Sequence, residues 1–111
     1  MKIKIRDYDN VTVIELQGEL DGDLAELLQN NVREMISRGK THIVLDMNAV
    51  GFINSEGLEQ LLLIRDNCQE NNCQFRIAGL EENCAEILEI TRLEKEFDCC
   101  TELTEAVKIV K

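Results

Sequence analysis

A mixed α/β sheet, with helices alternating with strands along the chain, is the fold class this sequence predicts. Three observations carry that reading. Two short runs at the start alternate polar and apolar residues, Lys2 to Arg6 and Val11 to Leu16. Apolar residues then recur at helical spacing from Leu24 to Ile36. A dense run of β-formers, Ile43-Val44-Leu45, comes next, and helical and strand patterns keep alternating after it.

The two alternating runs flank Asp9-Asn10, a good turn pair, and read as an antiparallel hairpin. Ile3 and Ile5 share one side of the first strand. Gly18 is expected to end the second strand. The following helix presents Leu24, Leu27, Leu28, Val32, Met35 and Ile36, with Asp21 or Asp23 as its cap and Gly39 as its stop. Ile43-Val44-Leu45 suits a strand buried on both faces in the middle of a sheet, paired parallel with an earlier one. Met47 to Ile53 is read as a connection with apolar anchors. Ser55 opens a helix with Leu58, Leu61, Leu62 and Ile64 on one face, running out at Asn71-Asn72. Gln74 to Gly79 is the next strand. Glu81 to Ile90 is a short helix with Ile87 and Leu88 inward. Leu93 and Phe97 are packing anchors beside a short edge strand, and Glu102 to Val110 is a last helix.

Length and charge bound the function. A chain of 111 residues is one domain, 1–111, able to bury a core without a metal or disulfide staple. With 12 basic and 22 acidic residues the net charge is −10. Such a chain repels nucleic-acid backbones and anionic membrane surfaces. Met1 to Ile5 has no apolar core of a secretion signal and no stretch is apolar enough to insert in a membrane, so a cytoplasmic location is expected. Seven carboxylates and no Lys or Arg fall between Asp7 and Val32. They make either a solvated face or a surface that steers a basic partner.

Nothing specific points to catalysis. His42 is the one histidine, and the glycine loops, HExxH and GxSxG patterns are missing. The five cysteines, Cys68, Cys73, Cys84, Cys99 and Cys100, match no zinc spacing. Cys68 and Cys73 are too far apart for a CxxC pair, and Cys84 reads as a small buried hydrophobe. The expectation is a binding module with no cofactor and no metal.

The segment from Asp46 to Leu58 stands out. Asn54 and Ser55 are both good caps for a helix start. Gly57 lies within the first turn, where it costs up to about 1 kcal/mol against Ala, so something must approach the backbone there. A phosphoryl group on Ser55 could use the free N–H groups and partial positive charge of that terminus. It would also add nearly two negative charges beside Glu19, Asp21 and Glu56. The alternative role for Ser55 is a simple cap.

Gly18-Glu19-Leu20-Asp21, Ile43 to Met47 and Val50 to Leu58 resemble the STAS domain family, most closely the bacterial anti-sigma factor antagonists. The resemblance implies a mixed sheet with an N-terminal antiparallel hairpin, the remaining strands largely parallel, and about four helices packed mainly on one face. It implies a partner that is both anti-sigma factor and serine kinase, of the histidine-kinase-like ATPase type. Binding would free the sigma factor. Phosphorylation at Ser55 would regulate it, and a PP2C-type phosphatase would reset it. The implied contact surface is Glu19, Asp21, Asp23, Asn54, Ser55, Glu56, Gly57 and Glu59. The family motif reads Asp-Ser-Ser/Thr-Gly-Leu-Gly. Here Asn54 keeps the capping oxygen without the charge, and Glu56 and Glu59 add charge to the first turn. An alternative within the same fold is a non-phosphorylated scaffold or accessory subunit of a stress-signalling or lipid-transport complex.

Overall fold

The structure, a computed structural model, describes residues 2–8 and 11–100. The expected Asp9-Asn10 turn and the expected last helix, Glu102 to Val110, lie outside the described residues.

Strands β1 (Ile3–Tyr8) and β2 (Val11–Leu20) form the antiparallel hairpin, paired from Ile3↔Leu16 to Tyr8↔Val11. Helix α1 (Gly22–Ser37), strand β3 (His42–Ile53), helix α2 (Ser55–Glu70), strand β4 (Gln74–Ala78) and helix α3 (Glu82–Ile90) follow. A 3-10 turn at Glu94–Glu96 leads to edge strand β5 (Asp98–Cys100). The sheet order is β1-β2-β3-β4-β5, and every pair after the first is parallel. About four helices were expected. Three α-helices are present among the described residues.

Each parallel strand is added on the same side of its predecessor. Right-handed crossovers then place all three helices on one face of the sheet. One core cluster joins them: Ile14, Leu16, Ile43, Leu45 and Ile77 from the strands meet Leu28, Val32, Leu61, Ile64 and Leu88 from the helices, all at most 1% exposed. Each such side chain contributes about 1.5–3 kcal/mol on burial. β3 is central and buried on both faces, as its composition predicts. Val13 and Val44 are also 1% exposed, in the row Arg6, Val13, Val44, Arg76, Asp98 on the other face. Arg76, with a side chain only 13% exposed, ion-pairs Asp98 at 2.7 Å there.

Two boundaries differ from the sequence reading, for one reason. Gly18 does not end β2, and Met47 to Ile53 is strand rather than connection. β3 carries one more residue than β2 at each of two bulges, between Glu15 and Gln17 and between Gly18 and Glu19. Gly18, at φ +106°, stands on β2 beside the second bulge of β3 and does not stop the strand. The strands therefore run on together to the pair Leu20↔Ile53. One apolar position also differs: Leu27 is 52% exposed, and Ala25 takes an inward place on α1.

All three helices end in the same way. In α1, Lys40 N–H donates to Met35 O and Gly39 N–H to Ile36 O. In α2, Cys73 donates to Cys68 and Asn72 to Gln69. In α3, Leu93 donates to Leu88 and Arg92 to Glu89. These are Schellman motifs, and each needs a left-handed residue before the last donor. Gly39, Asn72 and Arg92 fill those places at φ +83°, +56° and +61°.

The first turn of α2 is seated on the end of β2. Asn54 N–H donates to Leu20 O at 3.1 Å. A Cβ on Gly57 would run into that same carbonyl and meet Ile53 Cγ2 at 3.2 Å. Gly57 thus answers the sequence question: what approaches its backbone is the Leu20 carbonyl.

Two outcomes follow in urea unfolding. Arg92→Gly relieves about 1–2 kcal/mol of left-handed strain against about 0.5–1 kcal/mol of added chain entropy. The midpoint should rise with an unchanged slope; a fall would contradict the strain argument. Gly57→Ala should lower stability by roughly 1–3 kcal/mol, although Ala is the better helix former. A stabilised Gly57→Ala chain would show that the seat on Leu20 is loose.

Candidate functional site

The paired strand ends set the site. Since Leu20 and Ile53 are neighbours, α1 and α2 begin side by side at the carboxyl ends of two parallel strands. In parallel α/β sheets this is where binding sites form. Two helix N-termini bring two sets of free N–H groups and two partial positive charges.

Each terminus is capped by a short polar side chain. Asp21 Oδ1 accepts from Leu24 N–H at 2.9 Å. The sequence left Asp21 and Asp23 as alternatives, and the structure assigns Asp21. Asp23 is exposed in the first turn of α1. Asn54 Oδ1 accepts from Gly57 N–H at 2.8 Å, and Asn54 O accepts from Leu58 N–H at 3.0 Å. The cap of α2 is therefore Asn54. Ser55 is the first helical residue, exposed, and its hydroxyl makes no hydrogen bond among the described residues. Removing the cap role from Ser55 leaves that hydroxyl facing solvent.

The carboxylates around Ser55 have distinct places. The Glu56 side chain lies over Gly22, the first residue of α1, where a Cβ would collide with its carboxylate. One carboxylate from α2 thus sits at the positive end of α1. Glu19, near the end of β2, and Glu59, just after the first turn of α2, are exposed. Glu19, Asp21, Asp23, Asn54, Ser55, Glu56 and Glu59 all belong to the two adjoining helix starts. Gly57 is buried beneath them as the spacer.

The acidic stretch of the sequence does not form one surface. Asp7 accepts from the Thr12 hydroxyl at 2.9 Å and pairs with Lys40 at 3.3 Å. Thr12 first, then Lys40, hold its carboxyl below the usual carboxylate range. Glu15 pairs with Arg6 at 2.8 Å. The part that remains beside Ser55 is Glu19, Asp21 and Asp23.

An apolar groove next to Ser55 escaped the sequence reading. Phe52, Leu58, Ile87 and Ile90 line it with Asn54, Ser55 and Thr91, and it encloses about 360 Å3. Phe52 is 46% and Ile90 72% exposed. Phe52 belongs to the segment Met47 to Ile53, which the sequence presents as a connection with apolar anchors. The bulge at Gly51 turns Phe52 outward and Ile53 inward, and no periodicity marks such a bulge. Ile90 carried a weak signal, as an apolar residue at the exposed end of an otherwise acidic helix.

Elsewhere, His42 sits at the start of β3 with Nδ1 2.9 Å from Thr41 Oγ1. Cys84 is buried and its thiol donates to Val50 O at 3.3 Å, as a small core residue would. No helix among the described residues is long and apolar enough to cross a membrane. No three His, Cys, Asp or Glu side chains among them are gathered as metal ligands.

Known proteins share this architecture. BtrV of Bordetella bronchiseptica, named as a candidate anti-sigma factor antagonist, is 25% identical over 91 residues, covering 82% of this chain and 78% of BtrV. A structure of a candidate anti-sigma factor antagonist from Thermotoga maritima superposes with a TM-score of 0.88 at 22% identity, over 97% of this chain and 93% of that one. The Bacillus cell fate determinant SpoIIAA is similar in its unphosphorylated form, with TM-score 0.76 and 17% identity over 97% of this chain and 96% of that one. Its phosphorylated form gives 0.74 and 19% over 98% and 99%. The STAS domain model matches residues 2–106, and the chain belongs to the STAS domain family.

Proposed function

We propose that this chain is an anti-sigma factor antagonist, a binding module without catalytic activity, acting in the cytoplasm. It binds an anti-sigma factor that is also a serine kinase of the histidine-kinase-like ATPase type, and so releases the sigma factor. Phosphorylation at Ser55 switches binding off, and a PP2C-type phosphatase restores it. The observation that carries this reading is the exposed Ser55 hydroxyl at a helix start whose cap is already supplied by Asn54. The names of BtrV and of the two forms of SpoIIAA support it.

The physics of the switch is local. A phosphoryl group on Ser55 adds about 1.5–2 negative charges. The α2 terminus favours it by about 0.3–1 kcal/mol. A carboxylate 4 Å away in water opposes it by about 1 kcal/mol per charge. For about 1.5–2 charges that opposition is about 1.5–2 kcal/mol per carboxylate. The net cost is on the order of 1 kcal/mol, small against a domain stability of about 5–15 kcal/mol, so the fold itself tolerates the phosphate. The cost falls on a docked partner, which must desolvate the phosphate or meet it with its own charges. The neighbouring groove at Phe52 and Ile90 gives that partner an apolar anchor, and Glu19 and Asp23 give it an acidic rim.

A second reading has one observation in its favour. Glu56 and Glu59 already place two carboxylates at the start of α2. The chain would then be a non-phosphorylated STAS scaffold or accessory subunit of a stress-signalling or lipid-transport complex.

One experiment separates the two. The chain is incubated with ATP and its cognate kinase, and phosphopeptides are mapped. Binding of Ser55→Ala and Ser55→Asp to that kinase is measured alongside. The switch predicts phosphate on Ser55, none on Ser55→Ala, and at least tenfold weaker binding by Ser55→Asp. Wild-type binding by both variants, with no phosphate on Ser55, would favour the scaffold.

A further inference from the structure

Cys68 and Cys73 are five positions apart, a spacing that in sequence argues against a paired thiol. The end of α2 reverses that conclusion. In its Schellman motif the Cys73 N–H donates to Cys68 O at 2.8 Å, with Asn72 left-handed between them. This turn characteristically brings the side chains at its two ends into contact. In α3 the residues at those two ends are Leu88 and Leu93, and in α2 they are Cys68 and Cys73. Bond lengths and the 2.8 Å contact limit the two Cα atoms to about 7 Å, and the bends at N, O and C bring them nearer. A disulfide needs about 4.4–6.8 Å. Both residues belong to the helix-side core, at 0% and 5% exposed. Both also line one cleft of about 430 Å3, whose wall includes Arg65, Gln74, Lys95 and Phe97.

We propose that Cys68 and Cys73 form a reversible dithiol–disulfide site, oxidised by hydrogen peroxide that enters this cleft. The Cys73 sulfur attacks the peroxide. An S–O bond forms, the O–O bond breaks, and hydroxide leaves and takes up the proton that Cys73 has lost. Cys68 sulfur then attacks the Cys73 sulfenic acid. The S–S bond forms as the S–O bond breaks, and the departing hydroxide takes the Cys68 proton. Two thiols have lost two electrons and two protons, and one peroxide has become two waters. A low-molecular-weight thiol reverses the reaction by exchange. Peroxide is small enough to reach a sulfur as enclosed as that of Cys73.

The two thiols have different roles. A hydrogen bond from Cys68 lowers the thiol pKa of Cys73, while the same contact and burial raise that of Cys68. Cys73 is therefore the attacking thiolate and Cys68 the resolving thiol. Cys84 provides the contrast: burial pushes its thiol up to about 11, and no second cysteine is part of its contact with Val50.

The test is direct because both cysteines fall in one tryptic peptide, Asp66 to Arg76. The folded full chain is treated with peroxide, quenched, unfolded with iodoacetamide and digested without reductant. The proposal predicts that this peptide is 2 Da lighter, takes up no reagent, and regains two alkylation sites when dithiothreitol is added first. In Cys68→Ser, Cys73 should stop at the sulfenic acid and be captured by dimedone. The proposal is overturned if the peptide stays doubly alkylated while the exposed Cys99 is oxidised. It is equally overturned if the bridge forms only in urea.

Discussion

The carbonyl of Leu20 is the contact on which the site depends. It accepts a hydrogen bond from Asn54 N–H, and it lies where a Cβ of residue 57 would otherwise stand. An α-helix can be seated that closely on a strand end only where its first turn presents bare backbone. The contact fixes the position of α2 against β2. It also fixes α2 against α1, because Asp21 begins capping α1 one residue after Leu20. Two helix starts are thereby held together at one end of the sheet. With Glu56 laid over Gly22, they form one polar surface. Ser55 owes its exposure to this arrangement, since Asn54 uses its side chain to cap and its main chain to anchor.

The same end of the molecule combines two kinds of surface. Glu19, Asp23 and Glu59 are solvated charges that give direction and rate to an encounter more than affinity. Phe52 and Ile90 are exposed apolar side chains beside a groove, the kind of feature that supplies affinity once water is displaced. Ser55 lies between them. A charge change there is placed to act on both, without altering the buried positions that begin two residues further on at Gly57 and Leu58.

Much of this was legible in the sequence, for physical reasons that can be named. Hairpin, helices and central strand were readable because each buries a face with a fixed period: Ile14 and Leu16 in one case, Leu24, Leu28 and Val32 in another. Gly57 was readable because a glycine inside a helical turn costs stability and needs a cause. The extent of β2 and β3 was not readable, since two bulges break the alternation and Gly18 resembles a stop. The outward turn of Phe52 was hidden by the same bulge. Cys68 and Cys73 were separated on spacing alone, because their meeting depends on a left-handed Asn72, which no periodicity announces. Asn54 and Ser55 were equal candidates for the cap until Leu20 fixed the register of the helix start.

The central claim is that the joined starts of α1 and α2 are the docking surface. Hydrogen–deuterium exchange of the chain, alone and mixed with the anti-sigma factor proposed as its partner, tests it most directly. The account predicts slowed exchange confined to residues 19–24, 52–59 and the end of α3 near Ile90. Protection on β1 or β5, with residues 52–59 exchanging as in the free chain, would contradict it.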